Sequence, residues 1–224
     1  MSADYSLSCI LFDLDGTLAD TAPDLIAALN RSIQKYHFSA VEYQRIKPYI
    51  SHGAVAMIKQ CIPDCSDEQI HAQILEQMLA DYQQNIAQQT QLFQGMETIL
   101  INIENKGMKW GVVTNKRQRF TEPLMAALDL TDRAACIISG DTTDKAKPHP
   151  EPMFAACKQA EVTPDQCIYI GDAAHDIEAG KAAGMKTVAA TWGYLKLEDV
   201  PEQWDADFLI NRPEEILPIL DCHS

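Results

Sequence analysis

Short apolar runs alternate along this chain with segments in which apolar residues recur at helical spacing. The runs predict six β-strands, each followed by a turn or by polar residues: Cys9–Phe12, Trp110–Val113, Cys136–Ile138, Cys167–Ile170, Thr187–Ala190 and Phe208–Ile210. The segments between them predict helices at Thr98–Asn105, Phe120–Leu128, Glu151–Ala160, Ile177–Ala183 and Glu214–Leu220. Alternation of this kind is typical of an α/β fold, in which helices cover a parallel sheet.

One long stretch interrupts this alternation. Between about residues 20 and 90 there is no β-branched apolar run, and helical spacing predicts Pro23–Lys35, Ala54–Cys61 and a helix from Asp67 to about Gln89. About 70 residues is too long for a single crossover, since a whole β-α-β unit needs only about 30. We therefore expect an all-helical domain inserted after the first strand, covering residues 20–89, with a core made of residues 1–19 and 90–224. An ordinary long crossover is the alternative.

Composition and charge exclude some classes of protein. Lysine and arginine total 18 against 32 aspartates and glutamates, so the formal net charge is −14, which argues against a nucleic-acid binder. Residues 1–8 carry no basic segment, and the apolar run after them is too short for a signal peptide or a membrane span. We expect a cytoplasmic protein with no membrane partner. The seven cysteines are odd in number and irregularly spaced, which favours reduced thiols.

The segment after the first strand is the most informative for chemistry. Asp13 and Asp15 flank Leu14 and are followed by Gly16. In an extended backbone, residues two apart share a face, so both acids would project from the carboxyl end of the strand, where open α/β sheets bind ligands. Two close carboxylates repel each other unless a cation or a shared proton relieves them, and Mg²⁺ prefers such oxygen ligands. Gly16 would permit a close backbone approach or a turn that side chains disfavour.

Three further strand ends carry matching residues. The second strand ends in Thr114 and Asn115, whose hydroxyl and amides could bind phosphate oxygens, although this pair is also common in turns. Lys147 lies in a proline-stiffened loop, where it is either a fixed cation beside the site or a solvated lysine. The fourth strand ends in Gly171 and Asp172. Asp176, four residues later, either supports the site or caps the next helix, and His175 is expected on the surface.

Successive apolar runs are thus followed by two acids, a hydroxyl, a lysine and further acids. This order of residues resembles the motif order of the haloacid dehalogenase superfamily. Its four motifs are matched by Asp13 and Asp15, by Thr114, by Lys147, and by Asp172 with Asp176. The resemblance covers nearly the whole chain and implies a Rossmannoid parallel sheet with a small helical cap. It departs at Ala173, where similar phosphatases often carry Ser, Thr or Asp. Because alanine cannot bond a metal-bound water, either Asp176 does more of that work or the metal is held less tightly.

The resemblance implies a magnesium-dependent phosphomonoester hydrolase that works through an aspartyl-phosphate intermediate. Asp13 would attack phosphorus, and Asp15 would protonate the departing alcohol and then activate water. Mg²⁺ would be bound by the carboxylates of Asp13 and Asp172 and by the backbone carbonyl of Asp15. The phosphate oxygens would be held by Thr114, Lys147 and the backbone amides of Leu14 and Asn115.

Several stretches resemble phosphoglycolate-phosphatase-like members of the superfamily, among them Leu92–Met96, Trp110–Lys116 and Trp192–Tyr194. Within that group, N-acetylmuramate 6-phosphate is the favoured substrate and 2-phosphoglycolate the alternative. An acid at position 15 favours phosphoryl chemistry over dehalogenation, and Gly171 before Asp172 favours a hydrolase over a sugar-phosphate mutase. A phosphoacceptor signalling protein and a non-catalytic protein that binds a phosphorylated ligand are further alternatives.

The residues that contact the part of the substrate beyond the phosphate are expected in the inserted helices and after Thr114. Ser51, His52 and Gly53 are expected to open the second helix of the insertion, and Arg117 and Arg119 follow the second motif. The alternatives are a helix N-cap for Ser51, a surface position for His52 and solvated side chains for the arginines. Trp192 and Tyr194 either line the entrance or pack in the core.

Overall fold

The computed structural model describes residues 7–223. Its strands are β1 (Cys9–Phe12), β2 (Ala19–Asp20), β3 (Gln91–Leu92), β4 (Lys109–Val113), β5 (Cys136–Ile138), β6 (Cys167–Gly171), β7 (Lys186–Ala190) and β8 (Phe208–Ile210). Its α-helices are α1 (Ala22–Gln34), α2 (Tyr43–Ile46), α3 (Gly53–Cys61), α4 (Glu68–Gln84), α5 (Met96–Asn105), α6 (Gln118–Ala127), α7 (Glu151–Ala160), α8 (Ala174–Ala183) and α9 (Ile216–His223). Short 3₁₀ helices lie at Lys47–His52, Pro164–Gln166, Pro201–Gln203 and Pro213–Glu215.

Six of the strands form one parallel sheet in the order β5-β4-β1-β6-β7-β8. The central strand β1 pairs with β4 and β6, and Phe12 lies opposite Val112 on one side and Ile170 on the other. The predicted α/β fold with a parallel sheet is therefore confirmed. Because parallel neighbours end at the same edge, the residues that follow β1, β4 and β6 emerge side by side.

The sheet is buried on both faces, as the continuous apolar runs predict for parallel strands. In β1, Ile10 and Phe12 pack into an apolar cluster on one face, and Cys9 and Leu11 pack into another on the opposite face. The first cluster includes side chains of α5, α6 and α9, and the second includes side chains of α7 and α8. This two-sided packing makes the sheet a rigid support for the loops at its edge.

The helices α1 to α4 form what we call the helical block, residues 22–84. Its buried apolar side chains, such as Leu29 and Met78, form a cluster of their own, which also takes in Phe120 and Tyr194 from outside the block. The antiparallel pair β2 and β3 joins the two chain segments that connect the block to the sheet. The expected division into a core and a cap at residues 20–89 stays a prediction.

Two details of the helical block differ from the sequence prediction. The last helix ends at Gln84, not near Gln89, because the backbone leaves the helical conformation at Asn85, whose side-chain amide donates to the Asp81 carbonyl oxygen. The amides of Gln89 and Thr90 then donate to the carboxylate of Asp24. The short helix α2 and the 3₁₀ helix Lys47–His52 have no counterpart in the apolar pattern. Both are too short for helical periodicity to reveal.

Within the described residues, none of the helices combines the length and the hydrophobicity of a bilayer-spanning segment. The cysteines with described side chains are free thiols, as predicted: Cys9, Cys61, Cys65, Cys136, Cys157 and Cys167. The side chain of Cys222 lies outside the described set.

Candidate active site

The carboxyl edge of the sheet faces the helical block across a cavity of about 780 Å³. Asp13 and Asp15 reach this cavity from the end of β1, Thr114 from the end of β4, and Lys147 from the loop before α7. Asp172 follows β6 and lies buried beside them. The tertiary structure thus brings together residues that are up to 159 positions apart, and the reason is the shared direction of the strands.

Lys147 is buried at the centre of this group. Its Nζ lies 2.7 Å from Asp13 Oδ1, 2.7 Å from Asp176 Oδ1, 2.8 Å from the Tyr169 hydroxyl and 2.9 Å from the carbonyl oxygen of Val113. Burial acts to lower the pKa of Lys147, but the two carboxylates outweigh it and raise the pKa. The lysine is therefore a fixed cation and not a solvated loop residue.

The side chain of Asn115 holds the Lys147 loop in place. Its amide donates to the Lys147 carbonyl oxygen at 3.0 Å, and its Oδ1 accepts from the Lys147 amide at 3.0 Å. From the sequence, a role was predicted only for the backbone amide of Asn115. The paired contact between two distant loops had no signal in the sequence.

Three buried acids lie next to one another at this point. Carboxylate oxygens of Asp13, Asp172 and Asp176 lie within 4.8 Å of one another. Burial and mutual repulsion raise the pKa of Asp172 and of Asp13, and Lys147 opposes the rise at Asp13. At Asp176 burial acts in the same sense, but Lys147 outweighs it and lowers the pKa. Asp176 also accepts from the Ala173 amide at 3.1 Å, so it caps α8 as well as pairing with Lys147.

This cluster fits a divalent metal ion. Its donors are hard carboxylate oxygens, which Mg²⁺ prefers, and a cation would relieve the repulsion that raises the pKa of Asp172. The acid cluster contains Asp13 and Asp172, as the resemblance implies, and adds Asp176. The side chain of Asp15 is not part of the cluster. The resemblance implies that Asp15 binds the metal through its backbone carbonyl oxygen and not through its carboxylate.

Asp172 is held by donors from three separate segments. Its Oδ1 accepts from the Thr17 hydroxyl at 3.1 Å, and its Oδ2 accepts from the Ser51 hydroxyl at 3.0 Å and the Tyr194 amide at 2.8 Å. Gly16 lies against the same carboxylate. A Cβ there would come within 2.3 Å of Asp172 Oδ2, and its φ of +90° is one that other residues rarely adopt, so both reasons given for a glycine apply.

The carboxylate of Asp15 pairs with residues outside this cluster. It lies 2.9 and 3.0 Å from Lys116 Nζ and accepts from the Thr21 hydroxyl at 2.5 Å. Burial acts to lower the pKa of Lys116, but Asp15 outweighs it and raises the pKa. Neither partner was predicted from the sequence, although Lys116 stands only two residues after Thr114.

The remaining expected phosphate contacts are Thr114 and Leu14. The buried Thr114 hydroxyl accepts from the Lys116 amide at 3.2 Å and lines the cavity. The Leu14 side chain is buried in the core, and its carbonyl oxygen accepts from the amides of Leu18 and Ala19 in a tight turn. This turn connects β1 to β2.

Among the expected substrate contacts, Ser51, His52, Gly53 and Arg117 line the cavity. Gly53 begins α3 and His52 is its N-cap, so these two residues open the helix as expected. Ser51 lies one residue earlier, in the 3₁₀ helix Lys47–His52, and its hydroxyl donates to Asp172 Oδ2. The N-cap alternative for Ser51 is excluded, because His52 takes that position.

Three other expectations are now resolved. Arg119 is not among the cavity-lining residues; its guanidinium carbon lies 4.6 Å from the centre of the Phe120 ring. Trp192 and Tyr194 do not line the cavity either, and Tyr194 packs with the helical block. His175, expected on the surface, lines the cavity with its side chain one quarter exposed.

Comparison with known proteins agrees with this geometry. The sequence model for haloacid dehalogenase-like hydrolases matches residues 10–190, which include Asp13, Asp15, Thr114, Lys147, Asp172 and Asp176. The N-acetylmuramic acid 6-phosphate phosphatase of Pseudomonas aeruginosa is 38% identical over 215 residues, covering 96% of this chain and 95% of that protein. The phosphoglycolate phosphatase of Xanthomonas campestris is 37% identical over 207 residues, covering 92% and 93%.

The fold is also found among solved structures. The crystal structure of a "predicted phosphoglycolate phosphatase" from Haemophilus somnus superimposes with a TM-score of 0.85 and covers 98% of this chain and 99% of that one. Its sequence identity is 24%, so this likeness concerns the fold alone. The matched motifs, the extent of the family match and the identity to curated relatives agree, and this chain belongs to the haloacid dehalogenase-like hydrolase family.

Proposed function

We propose that this hydrolase is a phosphatase that removes the phosphate group from a small phosphorylated metabolite, favouring N-acetylmuramate 6-phosphate. The observation that carries the proposal is the position of Asp13 in the cavity, with Lys147 bonded to its Oδ1 and a second acid, Asp15, two residues on. A nucleophilic carboxylate, a fixed cation and a separate acid are what phosphomonoester hydrolysis through an enzyme-bound phosphate requires.

In the proposed reaction, an Asp13 oxygen attacks phosphorus, and the bond from phosphorus to the substrate alcohol breaks. Asp15, which Lys116 holds as a carboxylate, takes the proton of the monoanionic phosphate ester and passes it to the departing oxygen, so the alcohol leaves neutral. Asp15, now ionised, takes a proton from water, which attacks the aspartyl-phosphate and releases inorganic phosphate and free Asp13. The separation of Asp15 from the acid cluster supports two distinct roles, because its carboxylate is paired with Lys116 and not with Lys147.

The phosphate oxygens would be bound by Thr114, Lys147 and the backbone amides of Leu14 and Asn115. Lys147 supports this role because it is held rigidly on both sides, by the acids at its ammonium and by Asn115 at its backbone. Fixed donors stabilise developing charge without reorganisation. On a chain with a net charge of −14, such a local cation is needed to admit an anionic substrate.

Mg²⁺ is the proposed cofactor, held by Asp13, by Asp172 and by the carbonyl oxygen of Asp15, with Asp176 in support. When bound, it supplies positive charge that offsets the phosphate and the clustered acids. The protein's part is to hold the acids in place. Asp172 has three donors that orient its carboxylate, and Asp176 is pinned between Lys147 and the start of α8.

We further propose that residues 20–89 act as the cap expected from the sequence. The cavity lies between the sheet edge and the helical block, and both contribute to its lining. The pair β2 and β3 would serve as the connection between the cap and the core. A substrate would therefore meet the core with its phosphate and the helical block with the rest of the molecule.

The size and lining of the cavity favour a bulky substrate. Its volume is about 780 Å³, and the side from the helical block carries apolar side chains such as Leu25, Leu75 and Leu79. A two-carbon acid such as 2-phosphoglycolate would leave most of this space empty, whereas a substituted amino sugar would fill it. The Pseudomonas aeruginosa relative is named as a phosphatase of the sugar ester, which supports this choice. The Xanthomonas campestris relative is named as a phosphatase of phosphoglycolate, so 2-phosphoglycolate stays the alternative substrate.

The proposal is tested by measuring kcat/KM for N-acetylmuramate 6-phosphate, 2-phosphoglycolate and hexose 6-phosphates in the presence of Mg²⁺. Asp13→Asn should abolish turnover of every ester while the circular dichroism spectrum stays unchanged, and Asp64→Asn, at an exposed position, should leave turnover intact. Substantial turnover by Asp13→Asn would remove that residue as the nucleophile. If p-nitrophenyl phosphate and all the esters stay intact with the wild type, a non-catalytic protein is the better description.

The expectations of a cytoplasmic location, and of no nucleic-acid or membrane partner, stay predictions.

A further inference from the structure

The three donors that hold the Asp172 carboxylate come from different parts of the molecule. The Thr17 hydroxyl and the Tyr194 amide lie on segments that follow β1 and β7, so both are attached to the sheet. Ser51 instead lies in the 3₁₀ helix Lys47–His52 of the helical block, and its hydroxyl reaches Asp172 Oδ2 from there. One of the acids that fit a metal ion is therefore oriented in part by the helical block.

The Ser51 hydroxyl moves with the helical block. Ile50, the residue before it, is 5% exposed and packs in the apolar cluster of the block. Gly53, two residues after it, begins α3 of the same block. If the block shifted away from the sheet edge, Ser51 would leave Asp172, whereas the Thr17 hydroxyl would stay.

The core encloses Asp172 Oδ2 on its other sides. A Cβ at Gly16 would come within 2.3 Å of this oxygen and one at Gly193 within 2.4 Å, so the backbone of both segments lies directly against it. Oδ2 accepts from the Tyr194 amide and the Ser51 hydroxyl, and two donors occupy both of its lone pairs. Oδ1, with one donor among the described residues, keeps a lone pair for a cation. The contact from the helical block thus helps to fix which oxygen of the carboxylate is free.

Ser51 lines the cavity, so the alternative is the substrate contact expected from the sequence. The Ser51 hydroxyl has one proton, which it gives to Asp172, and towards a substrate it can only accept. Ala173, directly after Asp172, has no polar side chain that could take over part of this work. The orientation of Asp172 therefore depends on donors from distant segments, which favours a role of Ser51 at the acid over a role at the substrate.

We propose that Ser51 is a positioning residue for the metal site, and that its bond to Asp172 makes Mg²⁺ binding at the acid cluster depend on the docked position of the helical block. This inference rests on the proposed function, because it concerns the metal site of that function. Groups that orient a metal-binding side chain typically contribute about 10- to 100-fold in metal affinity. Such coupling is reciprocal, so the loaded site and the docked block stabilise each other.

The first test is isothermal titration calorimetry of the metal-free protein with MgCl₂, which requires no substrate. We expect Ser51→Ala to raise the Kd for Mg²⁺ about tenfold, because Asp172 loses one of the donors that orient it. Ser51→Thr keeps the hydroxyl and should bind Mg²⁺ nearly as tightly as the wild type. Ser39→Ala, at an exposed serine of the same block, is the matched control and should bind like the wild type.

The second test measures amide hydrogen exchange of the segment Lys47–His52 with and without Mg²⁺. In the wild type Mg²⁺ should slow this exchange, because the loaded site favours the docked block. In Ser51→Ala the slowing should be lost.

The third test separates the metal from the substrate. With p-nitrophenyl phosphate, turnover by Ser51→Ala should fall at limiting Mg²⁺ and recover at saturating Mg²⁺, since mass action overcomes a lower affinity. A loss that saturating Mg²⁺ does not restore would mean that Ser51 acts on the substrate, and would overturn the inference.

Other results would also overturn it. An unchanged Kd in Ser51→Ala would mean that the hydroxyl does not position Asp172, and a lower Kd would mean that it competes with the metal. Binding by Ser51→Thr as weak as that of Ser51→Ala would mean that the hydroxyl is not responsible. Equal slowing of exchange in Ser51→Ala and the wild type would exclude the coupling to the block. If the wild type hydrolyses esters without binding Mg²⁺, this inference fails and the phosphatase function stands; if it binds Mg²⁺ but hydrolyses no ester, the proposed function fails and calorimetry still decides the role of Ser51.

Discussion

The Ser51 hydroxyl in the helical block donates a hydrogen bond to Asp172 Oδ2 at the edge of the sheet, across 3.0 Å. The two residues are 121 positions apart, and Asp172 belongs to the carboxylate cluster that fits a metal ion. The same oxygen accepts from the amide of Tyr194, whose hydroxyl in turn accepts from the amides of Thr21 and Ala22 at the start of α1. The position of the helical block is therefore linked to the acid cluster by two routes.

Replacing Ser51 by alanine removes the direct route. We expect Ser51→Ala to lower the free energy of unfolding by about 1 kcal/mol, the usual contribution of one hydrogen bond. Urea denaturation in EDTA measures this loss, and Ser39→Ala, at an exposed serine of the same block, is the control. Equal stability of Ser51→Ala and the wild type would show that the contact contributes nothing in solution.

Removal of metal should stop catalysis reversibly. We expect EDTA to abolish hydrolysis and Mg²⁺ to restore it, because Asp13, Asp172 and Asp176 repel one another without a cation. Mg²⁺ should also raise the melting temperature, since a ligand that binds only the folded state stabilises it. Asp172→Asn should lose this thermal response. Activity that is indifferent to chelation would defeat the metal assignment.

Asp24 is expected to be important for stability without being part of the site. This buried carboxylate accepts from the amides of Gln89 and Thr90 and from the Thr90 hydroxyl, the last at 2.7 Å, and so ties α1 to the chain that returns to the sheet. We expect Asp24→Ala to lower the free energy of unfolding by about 3 kcal/mol, because hydrogen bonds to a charged group are strong and their donors would stay buried. Chemical denaturation measures the loss, with Asp64→Ala as an exposed control. A change as small as that of the control would contradict the assignment.

His52 should titrate below the usual range of a histidine. Burial lowers its pKa, Lys196 and His175 act in the same sense, and the Ser51 backbone and Asp199 oppose them. Since the folded state then binds fewer protons than the unfolded state just below pH ~6.5, this residue favours folding above that pH and opposes it as the pH falls. An NMR titration of the native and the urea-unfolded protein should show the lower midpoint in the native state, and Lys196→Ala should raise it. Equal midpoints would contradict the prediction.

Much of the core could be predicted from the sequence, because its strands depend on the local pattern of apolar and polar residues. The strand β1, buried on both faces, appears as an uninterrupted apolar run and has the predicted bounds, and so do the less completely buried edge strands β5 and β8. The acids and the hydroxyl follow directly on those runs. Since parallel strands share a direction, the convergence of Asp13, Thr114 and Asp172 needed only the strand assignments.

The sequence by itself determined the six strands of the parallel sheet, and with them the edge where the acids, the threonine and the lysine converge; the short strands β2 and β3 were not predicted. Only the tertiary structure decided how the helical block meets that edge. Ser51 was expected to start a helix but reaches Asp172, and Tyr82 followed the apolar spacing of α4 but lies under Lys116. Lys116 itself turned out to hold Asp15, and Asn115 to hold Lys147. These contacts join segments that are distant in the chain, and their geometry depends on the packing of whole elements, which no local pattern of residues encodes.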